Sequence, residues 1–227
     1  DTIYREQEKL RREELKALQA QINPHFLYNT LDSIIWSLRM RQVEESIEML
    51  TALTDFFKIS LSKGRDIITI EEEVKHIKSY LSIQHRRYQE KFDYDIHVDP
   101  SILSCRTPKL ILQPVVENAI YHGIKPMEEK GYIYIHIFPK EGDVILQVQD
   151  TGMGMDEDTC RRLNRELDTI SSDQQGTGYG VRNVNDKIKI VYGSKYGVTI
   201  ESAMGEGTVV TLRIGKKGET SDESDYL

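Results

Sequence analysis

The chain has 227 residues, with 37 acidic against 30 basic side chains and a formal net charge of −7. That length allows two domains with a real core, and the acidic balance, with no basic face, argues against a nucleic-acid partner. The longest apolar runs, such as 67–70 and 110–112, fall far short of the roughly 20 residues that cross a bilayer, and the two cysteines, Cys105 and Cys160, show neither disulfide nor zinc spacing, as expected of a reducing compartment. No signal peptide opens the chain, and Asp1 leads straight into charged helical sequence, so the numbering is expected to begin inside a longer protein.

In chain order, residues 3–61 read as helix, with apolar residues at spacings of three and four. One stripe runs through Leu15, Leu18, Ile22, Phe26, Leu31, Ile35 and Leu38. After a polar break near Arg41, a second runs through Val43, Ile47, Leu50, Leu53, Phe57 and Leu61. Two antiparallel helices follow from this. A lone hairpin covers little apolar surface, so pairing with a second copy into a four-helix bundle, a homodimer, is expected. Pro24 removes one helix donor and crowds the preceding turn, which predicts a bend just before His25. Residues 62–66, with Gly64, read as a linker. The next helix, 71–88, carries acids in its first turn and Arg86 and Arg87 in its last, with Val74, Ile77, Leu81 and Tyr88 on one face.

Beyond it, 92–98, 132–138, 144–148 and 209–214 alternate as strands, and 109–121, 156–167 and 181–191 read as helices. The fold class expected is α+β: a helical hairpin over 1–64, then an α/β sandwich over 65–214 with helices on one face of a mixed sheet. The tail, 215–227, is polar and acidic and is expected to be disordered.

Three clusters carry candidate chemistry. Asp150 to Gly154 reads DTGMG at the end of a strand. A carboxylate there can accept from an exocyclic amine such as that of adenine, while Gly152 and Gly154 let the backbone approach a flat ligand; an ordinary Asp-Gly turn is the alternative. Gly176, Gly178 and Gly180, in GTGYG, open onto a helix, where backbone N–H groups suit phosphates. Neither the Rossmann spacing nor a Walker lysine occurs. On the 109–121 helix, the amide oxygen of Asn118 suits magnesium, and Glu117 is either a group that polarises water or a solvated charge.

Taken in chain order, Asn118, then Asp150 to Gly154, then Gly176 to Gly180, the clusters resemble the Bergerat ATP-binding fold of histidine kinases, gyrase, Hsp90 and MutL-type ATPases. The resemblance implies that Asn118 binds magnesium, that Asp150 binds the adenine amine, and that Gly152, Gly154, Gly176, Gly178 and Gly180 frame ATP, with 155–176 as a lid. The segment LQAQINPHFLYNTL and the later PVVENAIYHG resemble sensor histidine kinases of the LytS and YesM type. That resemblance makes His25 the phosphate acceptor in a two-component system, with a response regulator as partner. It also implies homodimerisation and a membrane-anchored full-length protein whose cytoplasmic part this is. Two departures stand out. Phe26 occupies the place where commoner histidine kinases carry an acidic proton acceptor, so no general base is evident. Pro114 stands where gyrase-like ATPases carry a catalytic Glu, which weighs against a hydrolytic machine; a nucleotide-gated scaffold is the other alternative. Asn29, one turn beyond His25, either orients the ring, holds a water for dephosphorylation or makes a plain helix-surface hydrogen bond. His76, His85, His97 and His136 show no metal-ligand pattern, and His122 is either part of the site or a helix cap.

Overall fold

The computed structural model describes residues 24–61, 65–168 and 179–216, and the chain divides into two compact units, 1–64 and 65–227. The expected helix before residue 24, its bend ahead of His25, the 62–64 part of the linker and the tail beyond 216 lie outside the described residues.

In the first unit, helix α1 (Pro24–Arg39) and helix α2 (Val43–Ser60) form a hairpin. Arg41 makes the tight turn with a positive φ of 61°. Phe26 and Ile34 of α1 and Met49, Leu53, Phe56 and Ile59 of α2 are buried, with the Phe26 and Phe56 ring centroids 4.9 Å apart. Thr30, Ser46 and Ser60 are buried too, because each hydroxyl donates to the carbonyl four residues back and leaves no orphan. The expected stripes are therefore split. Leu31, Ile35, Leu38, Val43, Ile47 and Leu50 of the expected stripes stay exposed within one chain, and Ile34, Met49, Phe56 and Ile59, outside those stripes, are buried. Helices this apolar carry two faces, and periodicity alone does not say which one meets the neighbouring helix.

The second unit opens with strand β1 (Ile67–Thr69), paired antiparallel to strand β3 (Arg106–Pro108). Three-residue strands leave no periodic signal, and neither was expected. Helix α3 (Ile70–Arg87) starts at a capping box: Thr69 Oγ1 accepts from the Glu72 N–H at 3.1 Å, and Glu72 Oε2 accepts from the Thr69 N–H at 3.0 Å. Val74, Ile77 and Leu81 are buried as expected, joined by Tyr80, Ile83 and Gln84.

The main sheet runs β2 (Phe92–Val98), β4 (Gly131–Lys140), β5 (Asp143–Asp150), β7 (Gly207–Gly215), β6 (Gly197–Ala203), with only the β2–β4 pair parallel. Alternation sorts its faces. Ile133, Ile135 and Ile137 stand in register with Asp150, Val148 and Leu146, and Val210 and Leu212 continue the row. All are buried, against helices that contribute Val115, Val116, Ala119, Ile120, Val181, Val184 and Ile188. The opposite face shows Tyr132 stacked on Tyr134 and the exposed His136. Strand β6 was missed because only Val198 and Ile200 are large apolar residues in it. Strand β7 runs through Gly215, where the tail was expected to begin.

The expected 109–121 helix needs the largest correction. Leu110 adopts a left-handed φ of 60°, so helix α4 begins only at Gln113. It runs to Asn118 and then widens into a π-helical turn, Ala119–Ile124. Helices α5 (Glu157–Asp168) and α6 (Tyr179–Tyr192) complete the unit.

Candidate functional site

Asp150 ends β5 on the buried face of the sheet and is only 4% exposed. Its Oδ1 accepts from the Gly152 N–H at 2.8 Å. Burial pushes its carboxyl up to about 6, against the pull of the Gly152 and Thr208 N–H groups. The chain then turns so tightly that a Cβ on Gly152 would strike the backbone of Gly123 and come 2.5 Å from Asp150 Oδ1. A Cβ on Gly123 would in turn stand 2.7 Å from that oxygen. The Met153 N–H donates to the Gly123 carbonyl at 3.0 Å, which closes the interlock. Gly123 lies five residues after Asn118, inside the π turn that follows the helix.

Below the loop, Gly154 has a φ of 65°, and a Cβ there would run into the Ala203 carbonyl, so both conformation and space require glycine. The β6–β7 turn carries this loop: the Gly205 N–H donates to the Met153 carbonyl at 2.7 Å, and the Met155 N–H donates to Ser202 Oγ at 2.9 Å.

Asn118 is half-buried at the end of α4. Glu117 is tied away from solvent: its Oε1 accepts from Gln113 Nε2 at 2.9 Å, and it accepts from the Tyr80 hydroxyl of α3, while burial pushes its carboxyl above the ordinary range. Gly180 lies in the first turn of α6, where a Cβ would stand 3.2 Å from the Cβ of Pro114. Asn118, Asp150, Gly152, Gly154 and Gly180 thus belong to one unit, packed through α4, the π turn and the sheet. Gly176 and Gly178 lie outside the described residues, as does 169–176 of the expected lid; α5 occupies most of the rest. In the other unit, His25 is exposed at the second position of α1, and one turn on, the buried Nδ2 of Asn29 has no hydrogen-bond partner among the described residues.

Sequence reasoning gave no separate role to Gly123, the last residue of PVVENAIYHG, or to Gly207, where a Cβ would strike the Asp150 carbonyl. The one available signal was their glycine identity beside the motifs.

A model of the family described as histidine kinase matches residues 13–92, and one described as histidine kinase-, DNA gyrase B-, and HSP90-like ATPase matches 106–218. The chain belongs to the histidine kinase family. It is 36% identical over 206 residues to the sensor histidine kinase YesM of Bacillus subtilis, covering 91% of this chain and 34% of that protein. It is 33% identical to the sensor protein LytS of Bacillus cereus, covering 90% of this chain and 34% of that one. The chain therefore spans about a third of the length of these curated relatives. The fold resembles the histidine kinase domain of a blue-light activated histidine kinase from Erythrobacter litoralis, with a TM-score of 0.51 at 18% identity over 90% of this chain and 94% of that one.

Elsewhere in this histidine kinase core, His85 meets Asp93 and His97 meets Asp95, each at 3.0 Å. Burial holds the His76 imidazole down to about 4. A hollow of about 400 Å³ lined by Lys140, Asn185, Lys189, Tyr196 and Arg213 lies at the Asp143 end of β5, away from Asp150. Two of its cations are engaged, Lys189 with the Leu167 carbonyl and Arg213 with Asp143. It holds none of the nucleotide motifs.

Proposed function

We propose that the chain is the ATP-dependent catalytic core of a sensor protein-histidine kinase, which phosphorylates itself on His25 and passes the phosphoryl group to an aspartate of a response regulator. The observation that carries this reading is the interlock of Gly123, Asp150 and Gly152, which holds a buried acceptor in the unit that also carries Asn118. The acceptor suits adenine, because a desolvated carboxyl backed by apolar sheet recognises a flat ligand with an exocyclic amine.

Magnesium fits as well. Asn118 offers the neutral oxygen that a hard cation accepts, and it would hold the ion together with nucleotide phosphates and water. Bound there, magnesium neutralises charge developing on the phosphates. Asp150 would hold the base, Gly180 at the start of α6 would face the phosphates, and Asn118 would fix the cation.

A ring nitrogen of neutral His25 attacks the γ-phosphorus. The bond from that phosphorus to the bridging oxygen breaks, ADP departs with the electron pair, and the ring proton is released, leaving a phosphoramidate. With Phe26 following His25, no adjacent carboxylate receives the proton, and transfer relies on positioning and charge neutralisation. Asn29, whose amide hydrogens lack a partner among the described residues, orients the ring or a water.

The exposed residues Leu31, Ile35, Leu38, Val43, Ile47 and Leu50 form the face on which two copies pair into a four-helix bundle. Among the described residues no helix is long and apolar enough to cross a membrane. The anchor and sensor belong to the rest of a longer, membrane-bound protein with this part in the cytoplasm. Incubation with labelled ATP and magnesium tests the reading. Label on the protein that is acid-labile, alkali-stable and absent from His25→Gln supports it; phosphate release without protein labelling refutes it.

A further inference from the structure

One buried carboxylate has no place in the mechanism above. Glu73, in the first turn of α3, is fully buried. Its Oε2 accepts from the Leu110 N–H at 2.8 Å, and its Oε1 accepts from the N–H groups of Ile111 and Leu112 at 2.8 and 2.9 Å. Burial raises its carboxyl above the ordinary range, opposed by these three donors and by Lys187. A buried carboxylate is tolerated only where its lone pairs are met, and here three consecutive backbone groups meet them. Those groups belong to the segment leading into α4, where Leu110 takes its left-handed φ of 60° and so delays the helix to Gln113. A β-region or right-handed Leu110 would start the helix elsewhere and rotate Asn118 by about 100° per residue of shift.

The same α3 grips the helix further on. The Tyr80 hydroxyl donates to Glu117, and Gln84 Nε2 donates to the hydroxyls of Tyr80 and Tyr121 at 2.8 and 3.3 Å. Glu117 and Tyr121, one turn apart, thus face α3. Asn118, between them in sequence, is held by neither contact.

We propose that Glu73 is a positioning residue for the nucleotide site: by binding the Leu110, Ile111 and Leu112 amides it sets the rotation of the helix that carries Asn118, and so aims the Asn118 amide at the metal-phosphate end of the ligand. The proposal rests on the ATP reading and adds to it a residue that touches neither nucleotide nor metal. It separates two ends of the site. Asp150 is held by its own loop and by Gly123, so adenine recognition does not pass through Glu73, whereas the magnesium-dependent part of affinity does.

The test uses the full chain and isothermal titration with ADP, with magnesium and with the metal chelated. Glu73→Gln keeps an oxygen for Ile111 and Leu112 but turns an NH2 group toward the Leu110 N–H. It is expected to weaken Mg-ADP binding about tenfold, while metal-free ADP changes less than twofold. In the Asn118→Ala background the same substitution is expected to add nothing, since its effect runs through Asn118. Where Glu73→Gln does not accumulate as folded protein, Glu73→Asp, which keeps the charge and shortens the reach, is titrated in its place. Equal losses with and without magnesium, no loss in either, or a full further loss on top of Asn118→Ala overturns the positioning role. Wild-type protein that binds ADP in neither condition overturns the nucleotide reading beneath it.

Discussion

The two glycines that interlock at Asp150 make opposite predictions when each is given a methyl group. At Gly123 the new Cβ lands 2.7 Å from Asp150 Oδ1, 3.0 Å from Cγ and 3.4 Å from Oδ2, and all three are side-chain atoms able to swing aside. At Gly152 the new Cβ meets backbone atoms of Gly123 as well as Oδ1, and backbone held by the sheet on one side and the π turn on the other has nowhere to go. Gly123→Ala is therefore expected to fold and to displace the carboxyl from the Gly152 N–H and from adenine. Losing one hydrogen bond to a charged group costs about 1.5–3 kcal/mol, roughly 10- to 150-fold in Kd. Alanine's better helix propensity offsets part of the strain, by up to about 1 kcal/mol. Gly152→Ala falls in the class of backbone clashes costing about 4 kcal/mol or more, which lowers Tm on the order of 10 °C in a domain of this size. Calorimetric titration with Mg-ADP and thermal unfolding by circular dichroism, run on both variants, provide the measurement. The reasoning is refuted if Gly123→Ala binds like wild type, or if it loses as much Tm as Gly152→Ala.

Three further outcomes follow from the same structure. Below about pH 6, where Asp150 takes up its proton, nucleotide affinity is expected to fall by up to about tenfold per pH unit, and titration of Asp150→Asn should show a weaker, flatter profile. Stability carries two opposed pH effects: Asp150, raised from 3.8 to about 6, stabilises as pH falls through that window, whereas His76, lowered from 6.5 to about 4, destabilises as pH falls. Each is worth about 1.4 kcal/mol per pH unit, so Asp150→Asn should lose Tm steeply between pH 6 and 4 where wild type stays nearly level; parallel curves would contradict the assignment. Finally, Ile47→Glu places a charge on the exposed face of α2, and light scattering should report a monomer with the second unit's melting unchanged; an unaltered dimer would rule out that face.

The motifs proposed to bind nucleotide stand out in the sequence because such chemistry needs particular residues at particular places along the chain: a carboxylate at a strand end, glycines after it, an amide on a helix. The helical hairpin, helix α3 and four strands of the main sheet were legible because periods of 3.6 and 2 are local. What escaped was local in appearance but decided at a distance. The late start of α4 depends on Leu110, and Leu110 on Glu73, 37 residues earlier. The residues buried in the hairpin differ in part from the expected stripes because two apolar faces compete for one partner helix.

Sequence by itself determined that the chain folds as a helical hairpin followed by an α+β sandwich, and it named the residues proposed for nucleotide and phosphate-acceptor chemistry, since side-chain identity and hydrophobic period are properties of single segments. Only the tertiary structure decided that Gly123 closes on Asp150, that a π turn separates Gly123 from Asn118, and that Glu117 turns into a buried network with Tyr80. Those outcomes depend on which backbone atoms meet across the fold, at separations of a few ångströms that no spacing along the chain encodes.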